Sequence, residues 1–249
     1  MKRLVEESSL LFGDRLAPMT STLGFLEADH ILAAQTFCDW LEPIMQKARG
    51  ASFMQRLVSG KLEEILALLL PLTSVERRRY LFVPTASSWT AFFDNGHHGT
   101  DVFSKVSRLS KLLECKGLRV VAVPETKEGE FKGARGRYGA IILEVYGNKE
   151  SVLNYLRAIC LINDGGKWDF SQSGTPFPFE DIESYSKHKI KQRFTFEMLK
   201  AYLKELGLSP FEEDFYLPPG NNQAVLVEQQ GPSLPTSKEY TLEEARAHY

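Results

Sequence analysis

The feature that most constrains the fold is an almost uninterrupted apolar segment, YGAIILEVY, at residues 138–146. A strand that is apolar at nearly every position is typical of the centre of a sheet, where both faces are buried. The segments YLFV at 80–83, before Pro84, and LRVVAV at 118–123, before Pro124, predict two further strands. The chain is therefore expected to fold around a sheet with helices packed on it.

Helical periodicity surrounds these segments. Residues 24–48 and 52–70 have apolar side chains at helical spacing and predict two helices near the N-terminus. Further helices are predicted over 102–116, 148–161 (or a strand that begins at 159), 180–191 and 196–206, and further strands over 89–93 and 167–171. This order indicates an α+β fold with a helical N-terminal third and a mixed or antiparallel central sheet.

The composition changes at Pro218, after which Pro, Gly, Asn, Gln and Ser dominate. Residues 1–217 are predicted to form a single α+β domain, helical over 1–75 and sheet-containing over 76–217. Residues 218–249 are predicted to form a loosely attached tail. Within that tail, Thr241 and Glu244 have the spacing of a capping box and predict a short helix.

Bulk composition excludes several classes of protein. With 43% hydrophobic residues, 25% charged residues and a net charge of −2, the chain is neither disordered nor strongly attracted to nucleic acid. No apolar run approaches the length that spans a bilayer, so no membrane association is expected. Cys38, Cys115 and Cys160 are odd in number and lie in apolar patterns, which indicates free thiols and a cytoplasmic location. The sequence does not constrain the oligomeric state.

The densest group of metal-binding residue types lies in PTASSWTAFFDNGHHGTD, at residues 84–101. Asp94, His97, His98 and Asp101 offer the carboxylate and imidazole ligands of a metal-assisted hydrolase. However, adjacent histidines point to opposite sides of a strand, so both cannot bind one ion without a bend. The favoured interpretation is that Asp94 stabilises a turn and Asp101 caps the next helix. No metal or cofactor is predicted, and a site here would need one histidine facing a cleft at the end of the 80–83 strand.

Other candidate motifs are incomplete. Ser87 and Ser88 follow a strand but lack the glycines of a nucleophile elbow. The basic run KHKIKQR at 187–193, followed by Phe194, has the composition of a single-strand nucleic-acid patch, but such runs are more often solvated helix ends. Nucleic acid is therefore not an expected partner.

Aromatic and acidic side chains recur in the C-terminal third. A surface that combines them suits a basic partner protein. The candidate binding residues are Trp89, Trp168, Phe177, Phe179, Phe211, Glu212, Glu213 and Asp214. The alternative is that the aromatic side chains fold the chain end into the core.

Residues 167–216 contain KWDF, SG, PFE, RFT, LG, PF and FY in an order that resembles the C-terminal part of uncharacterised bacterial α+β proteins. Some of these proteins are of the immunity type that accompanies polymorphic toxins. The resemblance implies a cytosolic inhibitor that acts by occluding a partner protein, and it assigns no catalytic residue. The alternative is a metal-assisted hydrolase that uses the loop from Asp94 to Asp101.

Overall fold

The computed structural model describes residues 11–126, 138–147 and 154–247. The strands are β1 (Thr22–Leu26), β2 (Ser52–Ser59), β3 (Leu72–Thr73), β4 (Arg79–Pro84), β5 (Thr90–Asp94), β6 (Gly117–Val123), β7 (Ala140–Tyr146), β8 (Tyr155–Asp164), β9 (Lys167–Gly174), β10 (Gln223–Gln230) and β11 (Glu239–Tyr240). The helices are α1 (His30–Arg49), α2 (Leu62–Ala67), α3 (Val102–Leu112), α4 (Phe196–Glu205) and α5 (Leu242–Ala247). None of the described helices is both long and apolar enough to cross a membrane.

Nine strands form one sheet in the order β2-β10-β4-β5-β1-β6-β7-β8-β9, and β3 and β11 form a separate pair. Every neighbouring pair in the large sheet is antiparallel. The predicted α+β class, with helices packed on the sheet, is confirmed, and the sheet is antiparallel rather than mixed. The apolar segment that led to this prediction is β7, which lies between β6 and β8.

The larger core lies on one face of the sheet. Leu81 of β4 and Leu226 of β10 point into it, and Leu66 of α2 and Leu199 of α4 belong to the same core. Because side chains alternate along a strand, the residues next to Leu81 in β4 and next to Leu226 in β10 point to the opposite face of the sheet.

On that opposite face, α1 covers the strands from β2 to β5, and α3 covers those from β5 to β7. Phe82 and Phe92 pack there around Phe37 of α1, with ring centroids 5.6 and 6.4 Å from its ring. Gly24 of β1 lies directly beneath α3, where an added Cβ would come within 3.0 Å of Val106. The missing side chain therefore allows α3 to approach the sheet closely.

The predicted helix over residues 52–70 is wrong in its first half. Residues 52–59 form β2, and only Leu62–Ala67 is helical. Gly60 separates them with a φ of +146°, which a continuous helix does not allow. β2 pairs along its whole length with β10, which is remote in sequence, so tertiary pairing overrides the local helical spacing. The N-terminal region predicted to be helical therefore also supplies strands.

Two other predicted helices are also corrected. Residues 148–153 lie outside the described residues, but Tyr155–Asp164 is the strand β8, whose Arg157, Ile159 and Leu161 alternate inward. In place of the polar helix over 180–191 there are two short 3₁₀ turns, Ser184–Ser186 and Ile190–Gln192.

The prediction of a loosely attached tail from residue 218 is wrong for residues 223–230. They form β10, which lies inside the sheet between β2 and β4 and contributes fully buried Ala224, Leu226 and Val227. The apolar core of that strand is only four residues long, AVLV, and its polar flanks concealed it. The predicted capping box is confirmed, since Thr241 Oγ1 accepts from Glu244 N and Glu244 Oε2 accepts from Thr241 N at the start of α5.

Candidate functional site

Asp94, the first residue of the predicted metal loop, has its ligand atoms occupied. Its fully buried carboxylate accepts hydrogen bonds from the backbone N–H groups of Gly96 (2.9 Å) and Asp101 (3.0 Å). Arg77 Nε lies 3.4 Å from the same carboxylate. Burial raises the pKa of Asp94 to about 6, despite the nearby guanidinium. Asp94 therefore stabilises the turn, in agreement with the favoured interpretation of the sequence.

Asp101 acts as the N-cap of α3. Its carboxylate accepts from Ser104 N at 3.4 Å and from Ser104 Oγ at 2.6 Å. Asn95 stabilises the other side of the turn, where its side-chain oxygen accepts from the N–H groups of Arg78 and Arg79. These polar groups of the loop thus satisfy backbone groups that would otherwise lack partners.

The two histidines differ in exposure. His97 is half-buried, with Nδ1 3.2 Å from Thr73 O and its ring stacked on Tyr240 at 4.9 Å, whereas His98 is exposed. Both lie beside the start of β4, because antiparallel pairing places Asp94 opposite Tyr80. The expected cleft at the other end of that strand therefore does not receive a histidine of this pair. Within the described parts of the chain, no three His, Cys, Asp or Glu side chains are placed to hold a metal ion, so the hydrolase alternative gains no support.

Trp89, a predicted partner contact, is a core residue. It is 3% exposed, and its indole Nε1 donates to the carbonyl of Leu206 at 2.9 Å. This contact connects the start of β5 to the end of α4. The assignment of Trp89 to a binding surface is therefore wrong.

The other predicted aromatic contacts are half-buried and pack inward. Phe177 stacks on Phe179 at 5.1 Å, and Phe179 contacts Tyr202 of α4 at 5.7 Å. Phe211 packs edge-on against Phe196 at 5.0 Å. Trp168 packs against the larger core and is covered by Lys191, whose Nζ lies 4.6 Å from its ring. The expected aromatic face is thus mainly core packing, as the alternative interpretation held.

An ion pair that the sequence did not reveal fixes this aromatic segment. Arg157 of β8 and Glu180 are both fully buried, and two bonds of 2.9 and 2.7 Å join the guanidinium to the carboxylate. Glu180 also accepts from Tyr185 OH (2.8 Å) and from Phe177 N (2.9 Å). A buried ion pair is tolerated when its hydrogen bonds are satisfied in this way. The sequence contained one signal of this ion pair: Arg157 occupies an inward position of an alternating strand, where a charge needs a partner. That signal did not identify Glu180 as the partner.

The predicted acidic residues, by contrast, are exposed. Glu212, Glu213 and Asp214 all face solvent, and none has an ion-pair partner in the described part of the chain. Glu213 and Asp214 line a cavity of about 370 Å³ together with Lys61 and Tyr216.

A second cavity, of about 380 Å³, lies at the same end of the sheet. Its lining includes Glu27, Asp29, His30, Ser87 and Ser88. His30 is buried, with Nδ1 3.5 Å from Asp29 Oδ2, but no hydrogen bond connects it to either serine. The geometry therefore does not activate a serine nucleophile.

Residues 84–86 and 215–217 connect the two cavities. Phe215 O accepts from Ala86 N at 2.8 Å, and Pro84 O accepts from Leu217 N at 2.9 Å. We call this region, with Asp29, Glu212, Glu213 and Asp214, the acidic end; Glu27 beside it is paired with Lys116 at 3.2 Å. Neither cavity was predicted from the sequence, because residues remote in the chain form each of them.

Comparison with known proteins adds no relative: the chain matches no family model, and no curated protein or solved structure is significantly similar to it.

Proposed function

We propose that this protein is an immunity-like cytosolic inhibitor that binds a basic partner protein through the acidic end and occludes it. The observation that carries the proposal is the group formed by Glu212, Glu213 and Asp214, which are consecutive, exposed and without ion pairs in the described chain. Glu213 and Asp214 also line a cavity. Adjacent carboxylates repel one another in the free protein. A cationic surface on a partner protein would relieve that repulsion, and the carboxylates would attract it before contact through long-range electrostatic steering.

The backbone that presents these carboxylates is fixed. Glu213–Phe215 forms a 3₁₀ turn, after which Phe215 and Tyr216 are buried. Tyr216 OH donates to Pro210 O at 2.7 Å, which closes the segment on itself. A backbone segment that is already ordered loses little conformational entropy when its side chains bind a partner, so this arrangement favours association.

Two further observations support an intracellular inhibitor. Cys38, Cys115 and Cys160 are all free, as expected in a reducing compartment. The resemblance of residues 167–216 to immunity-type proteins includes Phe211, Phe215 and Tyr216, the aromatic residues beside the acidic group.

The test is a binding experiment with two variants that carry the same change of charge. The acidic-end variant combines Glu212→Lys, Glu213→Lys and Asp214→Lys. The control combines Asp164→Lys, Asp169→Lys and Glu183→Lys, which are exposed residues away from the acidic end. Partners captured by the wild-type protein at low salt are identified, purified and titrated against all three proteins.

We expect one basic protein to bind the wild type and the control with similar affinity. Its Kd for the acidic-end variant should rise at least about tenfold, and the wild-type affinity should fall with added salt. The activity of the partner should be lost in the complex. Equal binding of a purified partner to the acidic-end variant, or failure to recover any partner that the wild type binds stoichiometrically, would contradict the proposal.

A further inference from the structure

No strand of the described chain covers the outer edge of the sheet at β2. β2 is the terminal strand of the sheet and, among the described residues, pairs only with β10. The N–H of Phe53 points away from β10, since it donates to the carboxylate of Glu42 at 3.1 Å. N–H groups alternate in direction along an antiparallel strand, so those of Gln55, Leu57 and Ser59 also point outward. No described group accepts a hydrogen bond from these three.

The side chains of β2 do not block this edge. Natural edge strands are usually interrupted by Lys, Pro or a bulge. The sequence SFMQRLVS contains neither Lys nor Pro, and its pairing with β10 is regular. Its one charged residue, Arg56, is neutralised within the chain by Glu228, at 3.1 Å.

Apolar surface accompanies the free N–H groups. Leu57 is 52% exposed, and Leu32 of the adjacent α1 is 54% exposed. One turn after Leu32, Gln35 accepts a hydrogen bond from Gln55 Nε2 at 3.3 Å, which places this part of α1 beside β2. The other edge strand, β9, differs because Lys167 and Asp169 place exposed charges along it.

We propose that β2 pairs antiparallel with β2 of a second copy of this chain, so that two nine-stranded sheets become one continuous sheet. The three outward N–H groups without a described acceptor, those of Gln55, Leu57 and Ser59, are symmetric about Leu57. A two-fold axis at Leu57 places the two Leu57 residues opposite each other and Gln55 opposite Ser59 of the other copy. Each of these pairs exchanges both N–H···O bonds.

This pairing register also favours a second copy of the chain as the partner of the β2 edge. It uses every free outward N–H and leaves that of Phe53 to Glu42. An axis shifted by one residue would place the two Arg56 side chains opposite each other, which is unfavourable. Arg56 is paired with Glu228, and the Glu42 carboxylate that accepts from Phe53 N–H lies beyond the residues that pair around Leu57, so no like charges face each other at the axis.

The first measurement is the mass of the particle in solution, by light scattering and sedimentation over about a hundredfold range of concentration. The wild type should be a dimer. Leu57→Lys places like charges at the axis and should raise the dimer Kd at least about tenfold. Ser171→Lys, at an exposed position of β9, is the matched control and should leave the dimer unchanged. Circular dichroism checks that both variants are folded.

The second measurement is a cross-link, which remains informative if Leu57→Lys does not fold. Leu57→Cys should form an intermolecular disulfide under mild oxidation, because directly opposite residues lie about 5.5 Å apart between Cα atoms. Ser171→Cys and the wild type, with its own cysteines, should not. A wild type that stays monomeric, a dimer that folded Leu57→Lys retains, or the absence of a Leu57→Cys cross-link would overturn the proposal. The acidic-end variant should dimerise normally, so this test is independent of the proposed function.

Discussion

The two ends of the sheet use charge in opposite ways. Where β4 begins, Arg49, Arg77, Arg78 and Arg79 surround buried or partly buried carboxylates, and we call this the arginine end. Glu76 there pairs with Arg49 and with Arg78 (3.1 Å), and it also accepts from Leu234 N (3.1 Å). At the acidic end, where β4 finishes, Glu212, Glu213 and Asp214 are exposed and have no ion-pair partner among the described residues.

The difference separates charges that hold the fold from charges that are available to a partner. Glu76 connects the end of α1, the start of β4 and the segment after β10, which are remote in the sequence. Removal of such a carboxylate leaves part-buried cations without their ion-pair partner, whereas an exposed carboxylate can be replaced at little cost. The comparison is therefore testable by substitution at each end.

The largest effect is expected from Glu76→Ala. It leaves the Arg49 and Arg78 guanidiniums and the Leu234 N–H without their shared acceptor, so the free energy of unfolding should fall by about 4 kcal/mol. Urea titration measures this change. The matched control at the acidic end, Glu212→Ala, should alter stability by no more than about 0.5 kcal/mol. Similar losses for the two variants would remove the distinction between the ends.

The next effect is a pH dependence that arises from Asp94. Burial raises its pKa from 3.8 to about 6, so between these values the folded protein keeps a proton that the unfolded chain has lost. The contribution of Asp94 to the free energy of unfolding is therefore complete below about pH 4. It falls as the pH rises to 6, by up to about 3 kcal/mol. Asp94→Asn does not titrate, so the difference in unfolding free energy between wild type and variant should change across this window. A difference for Asp94→Asn that stays constant across this window would contradict the assignment.

The smallest effect on stability is expected from the acidic-end variant itself. Because Glu212, Glu213 and Asp214 form no ion pairs in the described chain, their reversal to Lys should change the free energy of unfolding by no more than about 0.5 kcal/mol per residue. Thermal and urea unfolding provide the measurement. A loss of several kcal/mol would show that these carboxylates support the fold, and would make lost partner binding uninformative.

Local sequence determined the elements whose signals are complete within a short segment. β7 needed only its apolar run, and α3 needed only an apolar stripe with Asp101 as its cap. The acidic group could likewise be located, because three consecutive carboxylates are rarely buried. The turn at Asp94 also followed from local chemistry, since it depends on bonds within eight residues of the chain.

Tertiary structure alone decided the rest. β2 became a strand because β10 pairs with it, and β10 entered the sheet although its composition is typical of a tail. Whether Trp89 and Phe179 face a partner or the core depended on α4, and the partner of Arg157 depended on how Glu180 folds back. Composition and spacing thus determined the class of fold and the acidic group. Which surfaces remain free depends on contacts between segments that are far apart in the chain. A short stretch of sequence does not contain both partners of such a contact, so it cannot predict the energy that the contact contributes.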